Sequence, residues 1–213
     1  MTKTIGIVLF PDFEDLDAIG PKEVFGMFAM GSNGEWQVVT VSQDGEPVRS
    51  YLGTTIEADH SFGDCPQLDV LLVPGGLGTR TEVDNEATIG FVRRQGASAG
   101  WVTSVCTGAF LLHRAGFLEG KRATTHWGAI ELLRQEGNVA VVDDERWVRD
   151  GNVITAAGVS AGIDMALQLA SMIAGADLAQ AIQLQIEYDP APPFDAGHVD
   201  KVSQKVRDLL IPI

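Results

Sequence analysis

Cys106 stands at the end of an apolar, β-branched run, Trp101-Val102-Thr103-Ser104-Val105, and is followed at once by Thr107-Gly108-Ala109-Phe110. A strand that ends on a nucleophile and turns directly into a helix, with small residues just past the turn, has the pattern of a nucleophile elbow. The thiol is then expected at the carboxyl end of a sheet strand, where open α/β folds bind ligands, and the start of the following helix is expected to favour thiolate over thiol. The competing reading is a buried cysteine packing as a small hydrophobe.

Two further segments carry groups that such a nucleophile needs. Val70-Leu71-Leu72-Val73-Pro74-Gly75-Gly76-Leu77-Gly78 places consecutive glycines beyond a buried run. Their amides, with that of Thr107, are expected to approach a ligand and stabilise negative charge on a reacting atom. This is not a phosphate loop, because Thr79-Arg80 stands where the Walker pattern requires Lys-Ser/Thr. In Phe10-Pro11-Asp12-Phe13-Glu14-Asp15-Leu16-Asp17-Ala18-Ile19-Gly20-Pro21, the carboxylates of Asp12, Glu14 and Asp15 read as solvated. Asp17 lies among apolar neighbours, where desolvation raises a carboxyl pKa and suits a general acid; capping the next helix is its alternative role.

Of the histidines, His126 in Ala123-Thr124-Thr125-His126-Trp127 follows what reads as a strand and opens a helix, so it can approach the same sheet edge as Cys106. A helix-start residue bonded to backbone is the plainer account of it. His60 and His198 stand in polar turns, and His113 lies about two helical turns beyond Cys106. Cys65 sits in a loop beside Asp64 with no base nearby in sequence and reads as structural. No HExxH, paired CxxC or clustered Cys/His/Glu spacing points to a metal.

The elements that must position these residues alternate. Ile5–Leu9, Trp36–Val41, Val70–Val73 and Trp101–Val105 are compact apolar runs, as expected of strands covered on both faces of a parallel sheet. Between them Pro21–Met30, Asn85–Ala99 and His126–Gln135 have helical spacing, which together predicts an open α/β sandwich. Val139–Val142, Trp147–Arg149 and Val153–Thr155 read as strands returning to the sheet edge, with Asp143-Asp144-Glu145-Arg146 and Asp150-Gly151-Asn152 as hairpin turns. Ile163, Ala166, Leu167, Ala170 and Ala174 predict one buried helix face, and Asp177 the N-cap of another helix. The prolines of Tyr188–Phe194 exclude helix and predict a surface strap that covers the active-site mouth, reaches a partner subunit, or simply connects to a last helix near Val199–Leu210.

At 213 residues, 45% hydrophobic and 21% charged, the chain fits one globular domain, residues 1–213. A net charge of −14 argues against nucleic acid as a direct partner. The amino-terminal apolar run is too short for a signal h-region, and Val153–Ala176 is too interrupted for a membrane span, so a cytoplasmic protein with free thiols and no membrane contact is expected.

Around these residues the sequence resembles the ThiJ/PfpI superfamily, most nearly its isocyanide hydratases. The resemblance rests on Leu16–Pro21, Pro74-Gly75-Gly76, Val102–Gly108, Gly120–Trp127, Ala161–Asp164 and Gln185–Tyr188. It implies a flavodoxin-like three-layer α/β sandwich with a mostly parallel central sheet, usually a homodimer, working on a small molecule without cofactor. It also implies Cys106 as nucleophile, Asp17 as acid/base, and Thr107, Gly75 and Gly76 as surrounding donors. Protease-like members carry His after the cysteine, where Thr107 stands here, so that peptidase dyad is missing. Many members carry Glu in place of Asp17, and the shorter side chain favours the hydratase subgroup. The implied activity is that of a cysteine-dependent hydro-lyase converting an isocyanide to an N-substituted formamide through a thioimidate. With Gly75 and Gly76, His126 is the expected substrate-binding residue. The rivals are a cofactor-independent glyoxalase-like enzyme, with His126 as proton shuttle, and a cysteine-based redox sensor.

Overall fold

Apolar runs that must bury both faces can do so only between two helical layers, and the chain folds accordingly. A computed structural model describes residues 2–210; residue 1 and residues 211–213, the outermost ends of the expected domain, lie outside the described residues. The elements in the first half are β1 (Lys3–Val8), α1 (Asp15–Gly31), β2 (Trp36–Ser42), β3 (Val48–Arg49), β4 (Thr55–Ile56), β5 (His60–Ser61), β6 (Val70–Val73), α2 (Thr79–Glu82) and α3 (Glu86–Gly96). There follow β7 (Trp101–Val105), α4 (Gly108–Arg114), β8 (Arg122–Ala123), α5 (Ile130–Glu136), β9 (Ala140–Val141), β10 (Trp147–Asp150), β11 (Val153–Ala156), α6 (Ala161–Ala174), α7 (Ala176–Gln185) and α8 (Gln204–Arg207).

The central sheet has seven strands in the order β10-β11-β7-β6-β1-β2-β5, parallel throughout except for β10. Every residue of β6 and β11 is buried, as are Thr4–Val8 of β1 and Val102–Val105 of β7. α1, α6 and α7 pack with one another as one layer, while α3 and α4 form the other. The strand order reverses direction at β1, whose neighbours are β2 and β6, and the loops leaving β1, β6 and β7 meet at one end of the sheet. That is where a ligand crevice belongs in this architecture.

Several elements differ from the sequence reading. α1 begins at Asp15 rather than Pro21, so Asp17 lies in its first turn and Pro21 at its seventh residue, where it removes one helix hydrogen bond while the helix continues to Gly31. Glu14, not Asp17, occupies the N-cap position, and it makes no side-chain cap. β10 and β11 form the expected hairpin with Gly151 at φ +64, but β9 pairs in parallel with β8 away from the main sheet, so Asp143–Arg146 is not a hairpin turn. The buried face of α6 is Gly162, Met165, Ala166, Leu169 and Ala170, which leaves Ile163 and Leu167 half-exposed. Gly175 at φ +94 is the N-cap of α7, with Asp177 in the first turn, where its charge suits the helix end. The last helix is short: a 3-10 turn at Val199–Lys201 and α8. The β3–β4 hairpin and β5, each strand only two residues, carry too little pattern to be read from sequence.

Candidate active site

Cys106 has φ +55, a left-handed conformation that an L residue adopts only when its surroundings impose it. The surroundings here are specific. Its N–H donates to the carbonyls of Ala156 (3.1 Å) and Ala157 (2.8 Å) beyond β11. Its own carbonyl accepts the Thr125 hydroxyl at 2.8 Å. α4 can start immediately because Gly108 has no side chain; a Cβ there would lie 2.3 Å from the Val73 carbonyl oxygen. The elbow is therefore held by β6, by the turn after β11 and by the strand end that carries His126.

Asp17 reaches the elbow from α1 and is completely buried. Its Oδ2 accepts the Gly75 N–H at 2.9 Å, whereas Oδ1 has no partner in hydrogen-bonding geometry. Burial pushes the Asp17 pKa well above the ordinary carboxylate range, and the Glu14 charge adds to the shift; the Gly75 amide and the nearby Cys106 thiol oppose it only in part. Burial also pushes the Cys106 thiol up, as do the charges of Asp17 and Glu14, against the opposing pull of the Thr107 N–H and hydroxyl. These shifts run against the thiolate expected at the start of the seven-residue α4. Asp17 and Cys106 are two coupled buried groups, each shifted toward its protonated form.

The glycine loop serves the pair rather than the solvent. A Cβ on Gly75 would lie 2.5 Å from the Thr107 nitrogen and 2.9 Å from Asp17 Oδ2, so only glycine lets the loop pass between them. The Gly76 N–H donates to Thr107 Oγ1 at 3.0 Å, and the Thr79 hydroxyl donates to the Gly76 carbonyl at 2.7 Å. Both glycine amides are therefore occupied inside the protein, and the expectation that they face a ligand is corrected. Gly75→Ala is expected to lower kcat by about 10²-fold by displacing Asp17 from the thiol, since near-attack geometry tolerates little movement. Steady-state kinetics beside a thermal melt would check this; wild-type kcat in a folded Gly75→Ala variant would show that the loop's fit is unimportant.

Above the pair opens a cavity of about 770 Å³, lined by Cys106, Thr107, Gly76 and His126 and walled by apolar residues including Leu77, Phe110, Leu132 and Val159. Asp17 and Gly75 do not line it, so Asp17 stands behind the thiol. His126 is buried at the end of the Arg122–Ala123 strand, and its Nδ1 accepts the Gly128 N–H at 3.2 Å. It is thus both a helix-start residue bonded to backbone and a member of the site. Glu14, read from sequence as solvated, also lines the cavity, and half-burial with Asp15 close by raises its pKa. No sequence signal marks it, because its position depends on the Glu14 N–H donating to the Gly75 carbonyl at 2.8 Å. Tyr51 is a second lining residue missed by the sequence, brought in when its N–H donates to the Phe13 carbonyl at 2.9 Å.

His113 lines the far end, 3.8 Å from Glu136, while His60 lies in β5 and His198 caps the Val199 turn. Cys65 is remote from the cavity lining, and burial with the Asp64 charge pushes its pKa up to about 11. Residues 189–198 are exposed and line no part of the cavity; Leu210, farther along, does. Among the described residues no three His, Cys, Asp or Glu side chains gather as a metal site, and no helix is long and apolar enough to cross a membrane.

A cysteine elbow on a flavodoxin-like three-layer sandwich, with a buried acid from the first helix beside the thiol, defines a class, and the chain belongs to it: the DJ-1/PfpI family, whose model matches residues 3–172. The chain is 47% identical over 208 residues to the isonitrile hydratase of Pseudomonas putida, covering 98% of this chain and 88% of that protein. A ThiJ/PfpI family protein from Pseudomonas syringae superposes with a TM-score of 0.90 at 35% identity, over 98% of this chain and 84% of that one. Drosophila melanogaster DJ-1beta superposes with a TM-score of 0.76 at 25% identity, over 88% of this chain and 98% of its own.

Proposed function

We propose that this protein is an isocyanide hydratase, a cysteine-dependent hydro-lyase that converts R–N≡C and water to the N-substituted formamide R–NH–CHO. The observation that carries this reading is the buried Asp17 carboxyl behind Cys106, whose thiol lines a mostly apolar cavity. The 47% identity to an isonitrile hydratase supports it independently. An isocyanide is small, neutral and a weak hydrogen-bond acceptor, so it enters such a cavity with little loss of hydration. Its terminal carbon must gain both a nucleophile and a proton.

In the mechanism that follows, Cys106 Sγ bonds to the terminal carbon while the Asp17 carboxyl gives that carbon a proton and takes the thiol proton in return. The pair stays uncharged before and after, which suits a site that burial makes hostile to ions. Thr107 N–H faces the sulfur as charge develops there. Water then adds to the thioimidate carbon and the formamide leaves. No organic cofactor or metal enters this sequence. Incubating the protein with phenyl isocyanide and following formanilide by mass spectrometry tests the reading; absence of product from folded protein would overturn it.

The same reading makes the protein a homodimer, located in the cytoplasm, where the free thiols Cys65 and Cys106 suit a reducing compartment. Leu16 and Ile19 of α1 are 38% and 37% exposed, and half-exposed Ile163 of α6 lies against the Leu16–Gly20 turn. A second copy covering this apolar strip through a two-fold axis accounts for it. Light scattering is expected to give about twice 22.8 kDa, and Ile19→Lys to shift the protein toward monomer. A wild-type monomer at micromolar concentration would remove the dimer from the reading.

A further inference from the structure

With the Gly75 and Gly76 amides engaged by Asp17 and Thr107, a nitrogen bound above Cys106 must find its donor elsewhere. Tyr51 and Arg80 stand at the exposed rim of the cavity. Thr79 and His126 are buried polar side chains of its lining, and the Thr79 hydroxyl already donates to the Gly76 carbonyl at 2.7 Å, which leaves His126. Its ring is held on several sides. Nδ1 accepts the Gly128 N–H at 3.2 Å, and the Trp127 ring lies 5.4 Å away between centroids. Gly158 leaves the space the ring fills: a Cβ there would be 2.7 Å from Cδ2 and 3.5 Å from Nε2. The adjacent Thr125 hydroxyl ties this segment to the Cys106 carbonyl at 2.8 Å, so ring and elbow keep a fixed relation.

An imidazole whose Nδ1 accepts an amide proton carries its own proton on Nε2 while neutral. Burial of the ring disfavours its charged form. The second polar atom of the neutral ring is therefore a hydrogen-bond donor, and its one lone pair is already engaged. This assignment suits the second half of the hydration, in which nitrogen gains electron density, better than it suits proton abstraction.

We propose that the Nε2–H of His126 donates to the nitrogen of the Cys106-bound thioimidate and acts chiefly on its hydrolysis; this rests on the hydratase reading above. In R–N≡C the nitrogen has no free lone pair. It gains one when sulfur bonds to the terminal carbon and a proton joins that carbon, giving R–N=CH–S–Cys106. Water then adds: its oxygen bonds to carbon, the C=N π pair moves to nitrogen, and one water proton follows it there. The adduct R–NH–CH(OH)–S–Cys106 collapses by breaking C–S, and the hydroxyl proton passes to sulfur, leaving R–NH–CHO and free thiol. A donor fixed at nitrogen matters most where the π pair arrives, by about 10²-fold for a preorganised donor.

The test compares two rates on the same preparations with phenyl isocyanide: appearance of a Cys106 adduct, read as intact-protein mass plus one isocyanide, and release of formanilide. In His126→Phe the adduct is expected to form within a few-fold of the wild-type rate, while release falls about 10²-fold, so the adduct accumulates. His126→Gln, which presents an N–H at similar reach, is expected to recover part of the release rate. Equal falls in both rates, or wild-type release from His126→Phe, would overturn the proposal. Should His126→Phe not fold, His126→Asn decides by the same criterion, since its shorter amide does not reach: unequal falls support the role, and equal falls or none overturn it. A wild-type protein that forms neither adduct nor formanilide overturns the hydratase reading, and this inference with it.

Discussion

Cys106→Ala is expected to reduce formamide production to the uncatalysed background while shifting Tm by only about 2–4 °C. The chemical half follows from covalency: without sulfur there is no thioimidate, and nothing else on the cavity floor can form one. The structural half follows from the elbow. Alanine pays the same conformational penalty as cysteine at φ +55, and the bonds that fix this turn run through the backbone of residue 106, to Ala156, Ala157 and Thr125. Losing one buried sulfur is a change of about 1 kcal/mol, within the usual range for a point substitution. Cys106→Ser is expected to be equally inactive, because a buried hydroxyl is harder still to deprotonate. Cys65→Ser should leave turnover nearly intact, since that thiol lies off the cavity lining. Formanilide release with parallel thermal melts checks all three; substantial turnover by the alanine variant at unchanged stability would falsify covalent catalysis.

Asp17→Asn is expected to lower kcat by about 10²- to 10⁴-fold, the usual contribution of a positioned general acid. Asparagine can still accept the Gly75 N–H at the position of Oδ2, so the loop keeps its place while the transferable proton is lost. Asp17→Glu should rescue only in part: the site is completely buried, and the extra methylene must fit where Gly75 already has no room for a Cβ. Stability should move the opposite way. The folded-state pKa of Asp17 is raised above its ordinary 3.8, so the folded protein holds this proton more tightly than the unfolded chain. Its contribution to stability is full below pH 3.8 and is lost as pH rises through the folded value. Asp17→Asn should therefore melt higher than wild type at neutral pH, with the gap closing toward pH 4. Thermal melts of both proteins across pH 4–8 measure it. A wild-type kcat in Asp17→Asn, or a gap that widens as pH falls, would remove Asp17 from the role of buried acid.

The two variants also separate hydration from simple thiol chemistry. A redox sensor needs a thiolate ready at neutral pH, and burial with the neighbouring carboxyl groups pushes the Cys106 thiol the other way. A thiol with a carboxyl group behind it suits a substrate that needs both a nucleophile and a proton on one carbon.

Much of this was legible in the sequence because it depends on local pattern. Runs such as Val70–Val73 and Trp101–Val105 are apolar on both faces, and only a covered parallel strand uses such a run. The elbow was legible because strand, nucleophile and small residues are contiguous from Trp101 to Ala109. Asp17 stood out because it is a carboxylate between apolar neighbours, and His126 because it begins a helix after a strand. The start of α1 and the register of α6 were not, since tertiary packing overrode the proline at 21 and turned the helix so that Gly162 rather than Ile163 faces the core.

What the amino-acid order determined by itself, then, is the alternation of elements and the elbow, both set by interactions between near neighbours in the chain. What only the tertiary structure decided is where distant groups meet. The β1 and β6 loops bring Glu14 to Gly75 and Gly75 to Asp17, the hairpin of β3 and β4 brings Tyr51 to the rim, and the turn after β11 seats His126 against Gly158. The same packing bears on the ionisation of the site. A cysteine at a helix start reads as a thiolate, but the free energy of an ion depends on how much water and which charges surround it, and burial beside Asp17 and Glu14 pushes the thiol the other way.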